Sequence, residues 1–368
     1  MAMDPYSPCP CGSGKKLKFC CADLVDEMEQ VSRLQQSGQI EACSKKLAEL
    51  KEKFPDNLWV ATSRASILMG QNESPLAKEE LRTLLQDNPD HPQALMLYAM
   101  AAYNTDGFDE SRSAIHRCFQ KCVGVVPDMV GYLSVSIAME FVARQKLMAA
   151  RQHLVFALKN VSEDRRQDVF VRLHDLDSDI QIPYQLRSVH DLVEIELEGD
   201  DQTEVDKAKR LTEIGCYGPA AKRYQALTES HDSHAGLFQN LGLCRAWDGD
   251  HVSAAQALHT AAELSDDSFT ALECETIAQL LDLQETEDRV EVGSRKMELT
   301  SVTQALGALT DQPQFVKVPL SAEDQQSQGA PSEFFQILDR RSLIHISEPT
   351  RLESKSRRAG GAWKRGGG

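Results

Sequence analysis

From residue 24 onward, small and large apolar residues recur every 34 positions, and three units, 24–57, 58–91 and 92–125, align without a gap. Val31, Ala65 and Ala99 hold one small position, and Leu34, Leu68 and Ala102 follow a turn later. In the second half of each unit Cys43, Ala77 and Ser111 hold another small position. Leu47, Leu81 and Ile115 follow, then Leu50, Leu84 and Cys118, and Pro55 and Pro89 close the first two units. Spacings of three and four within each half-unit put these residues on one face of a helix. A pair of such helices cannot bury its apolar face alone, so neighbouring pairs must cover one another. The expectation is an all-α stack in which small residues let paired helices approach and larger ones fill the grooves between pairs.

A fourth unit follows after a five-residue slip, 131–164, with Ala138, Phe141, Leu147, Ala150, Leu154 and Ala157 in register. Residues 165–200 lose the period. They hold one amphipathic segment from Val169 to Leu176, a break at Pro183, and an alternation from Val193 to Leu197 that predicts a short strand in an irregular joint. The period returns at 201, with Ala208, Leu211, Gly215, Tyr217, Ala220, Tyr224 and Leu227. It is clearest over 235–268, where Phe238, Leu241, Gly242, Gly249, Ala254, Leu258 and Ala261 carry it, and residues 269–286 read as one further capping helix.

In length and in these positions the pattern resembles the tetratricopeptide (TPR) repeat family. The resemblance implies a TPR-like α-solenoid in two arrays, 24–164 (repeats 1–4) and 201–286 (repeats 5–6 plus cap), whose first helices line a concave groove for a protein or peptide partner. By that analogy Met28, Met69, Met96, Met100, Tyr103 and Met139 face the groove. Flexible, polarizable methionine suits surfaces that accept varied apolar side chains. The Lys/Asn pattern of repeats that clamp a C-terminal carboxylate is absent, with Met28 and Ser32 at two of its places.

Ahead of the repeats, residues 1–22 hold Cys9, Cys11, Cys20 and Cys21 within thirteen positions. Zn²⁺ takes four tetrahedral ligands and accepts thiolate sulfur readily, so Cys-x-Cys followed eight residues later by Cys-Cys is a metal-ligand set. Gly12 and Gly14 let the loop turn back, and metal binding supplies the folding free energy, roughly 10–16 kcal/mol for structural zinc peptides. The run resembles the SEC-C zinc motif of SecA translocation ATPases, where it binds zinc and docks on the export chaperone SecB. It also occurs as an appendage of otherwise unrelated, mostly bacterial proteins. The resemblance implies that these four cysteines bind Zn²⁺; the N-terminal position, with no ATPase behind it, implies no translocase activity. Lys15, Lys16 and Lys18 offer a basic patch to an acidic partner, and they also offset the formal −2 charge of a zinc tetrathiolate.

Forty basic against 56 acidic residues give a net charge of −16, which repels polyanions and argues against general nucleic-acid binding. No stretch reads as a membrane span, and the N-terminus lacks the basic and apolar regions of a signal peptide, so a cytoplasmic setting is expected. The remaining cysteines are scattered singly, which suits a reducing compartment. His116, Cys118 and Cys122 share two helical turns, but Cys118 already holds a packing position in the repeat. No phosphate loop, nucleophile elbow or paired catalytic acid stands out, so no enzymatic activity is expected from the repeats.

Past residue 290 the pattern changes. Ser301–Leu309 reads as a helix, and Phe315–Val318 and Phe334–Leu338 read as strands, the start of a truncated α+β domain over 290–341. From Ser342 to Arg351 the chain looks like a translated sequencing-library adapter, so residues 342–368 are set aside as an artefactual tail. The reading is a zinc-binding interaction scaffold that recognises polypeptides, with a link to protein export or chaperones implied by the knuckle. The alternative is an enzyme or regulator whose catalytic part lies in the truncated C-terminal piece.

Overall fold

A computed structural model describes residues 4–285 and three short strands beyond them. Two short 3₁₀ turns, Leu17–Phe19 and Ala22–Leu24, lead into α1 (Val25–Gln36), α2 (Ile40–Lys53), α3 (Leu58–Gly70) and α4 (Ser74–Asp87). The chain continues through α5 (Pro92–Cys122), α6 (Pro127–Ala143), α7 (Leu147–Asn160), α8 (Glu163–Ser178) and the one-turn α9 (Tyr184–Arg187). It ends in α10 (Gly199–Glu213), α11 (Tyr217–Ser230), α12 (Ala235–Trp247), α13 (His251–Leu264) and α14 (Ser268–Glu285).

The 34-residue period is written into the backbone as well as the side chains. In five of the six units the turn between the two helices places one residue in the left-handed region at the same repeat position. Gly38, Asn72, Gln145, Gly215 and Gly249 all have φ between 60° and 80°. Glycine is the residue that adopts this conformation freely, which is why three of the five are glycine. The small positions are closed to solvent as the pattern requires: Ala65, Ala99, Ala138 and Ala208 on the first helices, and Cys43, Ala77, Ala150, Ala220 and Ala254 on the second, are all 0% exposed. Gly242 shows why bulk is refused there, because a Cβ on it would sit 2.6 Å from Cγ of Leu258.

The third unit departs from the helix-turn-helix expectation. Its two helices run on as α5, interrupted only at Gly107, where φ is 77° and ψ −177°. The break frees the N–H of Phe108, which Glu140 of α6 accepts at 3.3 Å.

The chain divides into two compact units, Met1–Asp179 with Lys207–Ala220, and Ile180–Asp206 with Ala221–Gly368. In the first unit α8 covers the end of the array, with Val169 packed among Ala138, Leu154, Ala157 and Val161. A paired hydrogen bond from Arg151 to Asp177, at 2.8 and 2.9 Å, fastens α8 to α7. In the second unit α12, α13 and α14 stack in sequence, closed by Leu258, Ile277, Ala278 and Leu281.

Residues 189–198 are not a strand, contrary to expectation. A strand needs a neighbouring backbone; here Val193 pairs instead with the side-chain amide of Asn240 on α12, at 2.8 and 2.9 Å. Beyond residue 285 the described residues are β1 (Met297–Glu298), β2 (Gln314–Pro319) and β3 (Glu333–Leu338). β2 runs parallel to β1 and antiparallel to β3, with Val316 opposite Gln336. The helix expected at Ser301–Leu309 and the tail 342–368 lie outside the described residues.

Candidate metal centre

The knuckle is a tight hairpin. Cys9 N–H donates to Lys15 C=O at 2.8 Å and Leu17 N–H to Ser7 C=O at 2.9 Å, with Pro8 bridging to Lys16. At its tip Gly12 N–H closes back on Cys9 C=O, and Gly12 and Gly14 both take φ 72°. The following 3₁₀ turns bring Cys20 and Cys21 under the hairpin. Leu17 and Leu24, at 1% and 2% exposed, anchor the module from below.

This geometry gathers all four sulfurs within 4.8 Å of one another. Cys11 and Cys20 sulfurs are 3.4 Å apart, and Cys20 and Cys21 are 3.9 Å apart. A tetrahedron of thiolates at 2.3 Å from zinc has edges of about 3.8 Å, so the donor set fits such an ion with small adjustments. Cys9, Cys11 and Cys21 are buried, and Cys20 is on the rim. Burial pushes the Cys9 and Cys21 thiols up. Burial acts the same way on Cys11, but hydrogen bonds from Ser13 and the neighbouring thiols outweigh it and bring that thiol down to about 7. Thiols bind Zn²⁺ as thiolates, so metal binding at this cluster releases protons.

The knuckle is not a loose appendage. Two residues that precede first helices, 34 positions apart, reach into it. Asn57 caps α3, its Oδ1 accepting from the N–H groups of Trp59 and Val60, while its Nδ2 donates to Cys21 sulfur at 3.4 Å. His91 caps α5, its Nδ1 accepting from Ala94 N–H at 3.1 Å. With Nδ1 occupied as an acceptor, the proton of the neutral ring sits on Nε2, which donates to Cys11 C=O at 2.9 Å. The contact is close: a Cβ on Gly12 would lie 2.2 Å from His91 Nε2. Such support fixes a ligand's orientation and adds donors to its sulfur. The sequence carried a signal for both residues, since each stands directly before an apolar run at a recurring N-cap place. Their reach to the cysteines was not legible.

Lys15 and Lys16 are exposed and Lys18 is half-buried. Sequence reasoning missed their companions: Tyr6 and Phe19 are 59% and 69% exposed, and Lys18 Nζ lies 3.7 Å and 4.5 Å from their ring centroids. Lys16 Nζ stands 5.5 Å from the Tyr6 ring. Cations so placed are held by the rings' negative faces, leaving a fixed basic and aromatic surface.

The methionines divide. Met28 and Met96 belong to the core and present no groove surface. Met28, 3% exposed, packs in the cluster that contains Cys9, Leu17, Cys21 and Leu24, so the knuckle covers it. Met96 is 0% exposed, its sulfur 3.4 Å from that of Cys118. Met69 and Met100 are half-buried. Met139 is 38% exposed, with Arg172 Nη1 at 3.4 Å from its sulfur. Tyr103 is half-buried, and its hydroxyl donates to Ser136 C=O at 2.9 Å.

Residues 62–115 match the family model described as Tetratricopeptide repeat. Among solved structures, the crystal structure of the P58(IPK) TPR domain is similar at 12% identity. It covers 72% of this chain and 99% of that one, with a TM-score of 0.24, a level that says nothing about function. No curated protein matches the chain significantly. Among the described residues no helix is long and apolar enough to cross a membrane. The repeats of this chain are thus of tetratricopeptide type where the family model matches, and the cysteine cluster rests on its own geometry.

Proposed function

We propose that the chain is an interaction scaffold whose zinc knuckle, fixed on the first helices of repeats 2 and 3, presents a basic and aromatic face to an acidic polypeptide. The observation that carries this reading is the double attachment of the four-cysteine cluster through Asn57 and His91. A knuckle that served only to cap the array would need no exposed aromatic pair held under lysines. Zn²⁺ is the ion that the four thiols suit best, and its chemistry there is structural, since four thiolates leave no open coordination position. Residues 1–22 carry three lysines against one acidic residue, Asp4, in a chain of net charge −16. The patch is thus a local basic island. A bacterial, cytoplasmic setting and a role beside export chaperones follow from the SEC-C resemblance and belong to this proposal. Half-buried Met69 and Met100 and exposed Met139 remain as a secondary apolar contact on the first array.

The test measures binding of a fluorescein-labelled, Glu-rich peptide to the full chain and to a Lys15→Glu/Lys16→Glu/Lys18→Glu variant, with metal content read by native mass spectrometry. The reading expects one zinc in both proteins, and binding that weakens with salt and is lost in the variant. Equal binding by both proteins would remove the knuckle face from the proposal.

A further inference from the structure

The four thiols of the knuckle are not equivalent. Cys9, Cys11 and Cys21 are 4%, 7% and 7% exposed, whereas Cys20 lies open to solvent. Asn57 donates to Cys21 sulfur from the start of α3, and His91 donates to Cys11 C=O from the start of α5, so the repeats cover that side of the cluster. Cys20 instead meets the hairpin's own tip, with Ser13 Oγ at 3.1 Å from its sulfur. Lys15 N–H donates to that oxygen at 3.3 Å, which leaves the Ser13 hydroxyl hydrogen to the sulfur.

Of the four sulfurs, a small oxidant arriving from solvent meets Cys20 first. The thiolate is the nucleophilic form of cysteine, and a metal ligand is held as thiolate. Exposure and thiolate character together select a cysteine for oxidation. The outcome then depends on which second sulfur is near. Cys11 lies 3.4 Å from Cys20, and Cys21 lies 3.9 Å away. Cys21 is the adjacent residue in the chain, and Cα atoms across a trans peptide are about 3.8 Å apart, below the roughly 4.4–6.8 Å of a relaxed disulfide. Cys11 is under no such constraint.

We propose that Cys20 is a peroxide-modified residue and Cys11 its resolving partner, so that hydrogen peroxide closes a Cys11–Cys20 disulfide and dismantles the zinc site. The inference rests on the proposed zinc reading of the cluster and gives that site a chemical control. The Cys20 thiolate attacks one peroxide oxygen: an S–O bond forms, the O–O bond breaks and hydroxide leaves, giving a sulfenic acid. The Cys11 thiolate then attacks that sulfur: the S–S bond forms, the S–O bond breaks and a second hydroxide leaves. Two solvent protons convert both hydroxides to water, and the two electrons given up by the sulfur pair reduce the peroxide. Two of the four ligands are consumed, and Cys9 with Cys21 cannot make a tetrahedral site alone. The knuckle loses the metal that folds it, and the face carried by Lys18 and Phe19 goes with it.

The test treats the zinc-loaded full chain with hydrogen peroxide, following zinc by native mass spectrometry and disulfides by non-reducing peptide mapping. Zinc counted before peroxide separates two failures, because a chain that takes up none defeats the zinc reading itself. From the loaded chain, peroxide is expected to release zinc with Cys11–Cys20 as the first disulfide, and a thiol reductant to restore metal binding. Cys20→His keeps a ligand but removes the exposed thiolate, and is expected to release zinc about tenfold more slowly. Cys21→His is expected to release it as the unaltered chain does. The inference is overturned if zinc stays bound through peroxide treatment, if the first disulfide joins another pair, or if the two histidine variants protect the site equally. Should Cys20→His take up no zinc, the order of disulfides in the unaltered chain decides.

Discussion

The knuckle at residues 4–24 and the extended segment at 189–197 are both irregular backbone held by side chains from first helices, yet they are held differently. Asn57 and His91 sit at helix ends, where each caps its own helix and reaches the knuckle with its second polar atom. Asn240 sits in mid-helix, and its amide serves the segment on both sides. The knuckle has its own cohesion in a four-thiol cluster, so its attachment supplements a fold that metal can impose alone. The segment has no such source and is held by the Asn240 clamp, by buried Ile195 and by a hydrogen bond from Leu197 N–H to Gln202 Oε1 at 2.8 Å. Backbone that must be ordered without a metal therefore takes the stronger, more buried contact.

Removing the metal ligands is the change with the largest expected effect. Cys9→Ser with Cys11→Ser should abolish zinc in native mass spectra and release residues 4–24, while the second unit is unaffected. Acid should act in the same direction, because each thiol must lose its proton to bind, so metal retention falls as pH drops; titration in the presence of a chromogenic chelator measures it. Asn240→Leu comes next. It leaves the N–H and C=O of Val193 without partners, which is expected to cost about 2–3 kcal/mol in chemical denaturation of the second unit and nothing in zinc content. If the loss instead spread to the knuckle, the distinction between the two attachments would fail.

Gly12→Ala is expected to cost about 1–3 kcal/mol, since the new methyl group collides with His91 and the residue must keep a left-handed φ. Metal should remain bound, separating docking of the knuckle from its folding. A smaller, pH-dependent effect is expected at the far end of the second unit. His259 of α13 lies 3.0 Å from Glu275 and 3.1 Å from Asp282, both on α14. Burial opposes its charge, but these carboxylates win and raise its pKa. Stability from a raised histidine pKa is fully present below the unfolded value and lost as pH rises through the folded one. Thermal melts of His259→Gln and the unaltered chain should therefore converge at alkaline pH and separate in acid. The smallest effect is a gain: Gln145→Gly should stabilise the first unit by roughly 0.5–1 kcal/mol, as φ is 60° there.

The helices were legible because small residues that must be buried recur at the repeat spacing, joined in the last two units by the turn glycines Gly215 and Gly249. The four thiols were legible because ligand spacing is local. What pattern cannot show is which apolar residue is covered by something distant in sequence. Met28 reads as groove-facing until the knuckle is seen packed over it, and Met96 until Cys118 is seen against its sulfur. The alternation at 193–197 reads as a strand, but Val193 meets a side-chain amide 47 residues away rather than a neighbouring strand. Tyr6 and Phe19 gave no signal either, because lone aromatics acquire meaning only when Lys18 is placed over both rings.

Amide hydrogen exchange on the full chain, read by mass spectrometry with and without a zinc chelator, tests the contrast most directly. The account expects residues 4–24 to lose protection when the metal is withdrawn while residues 189–197 and α12 keep theirs. Protection in residues 4–24 that is indifferent to the chelator, or a loss shared equally by both segments, would contradict it.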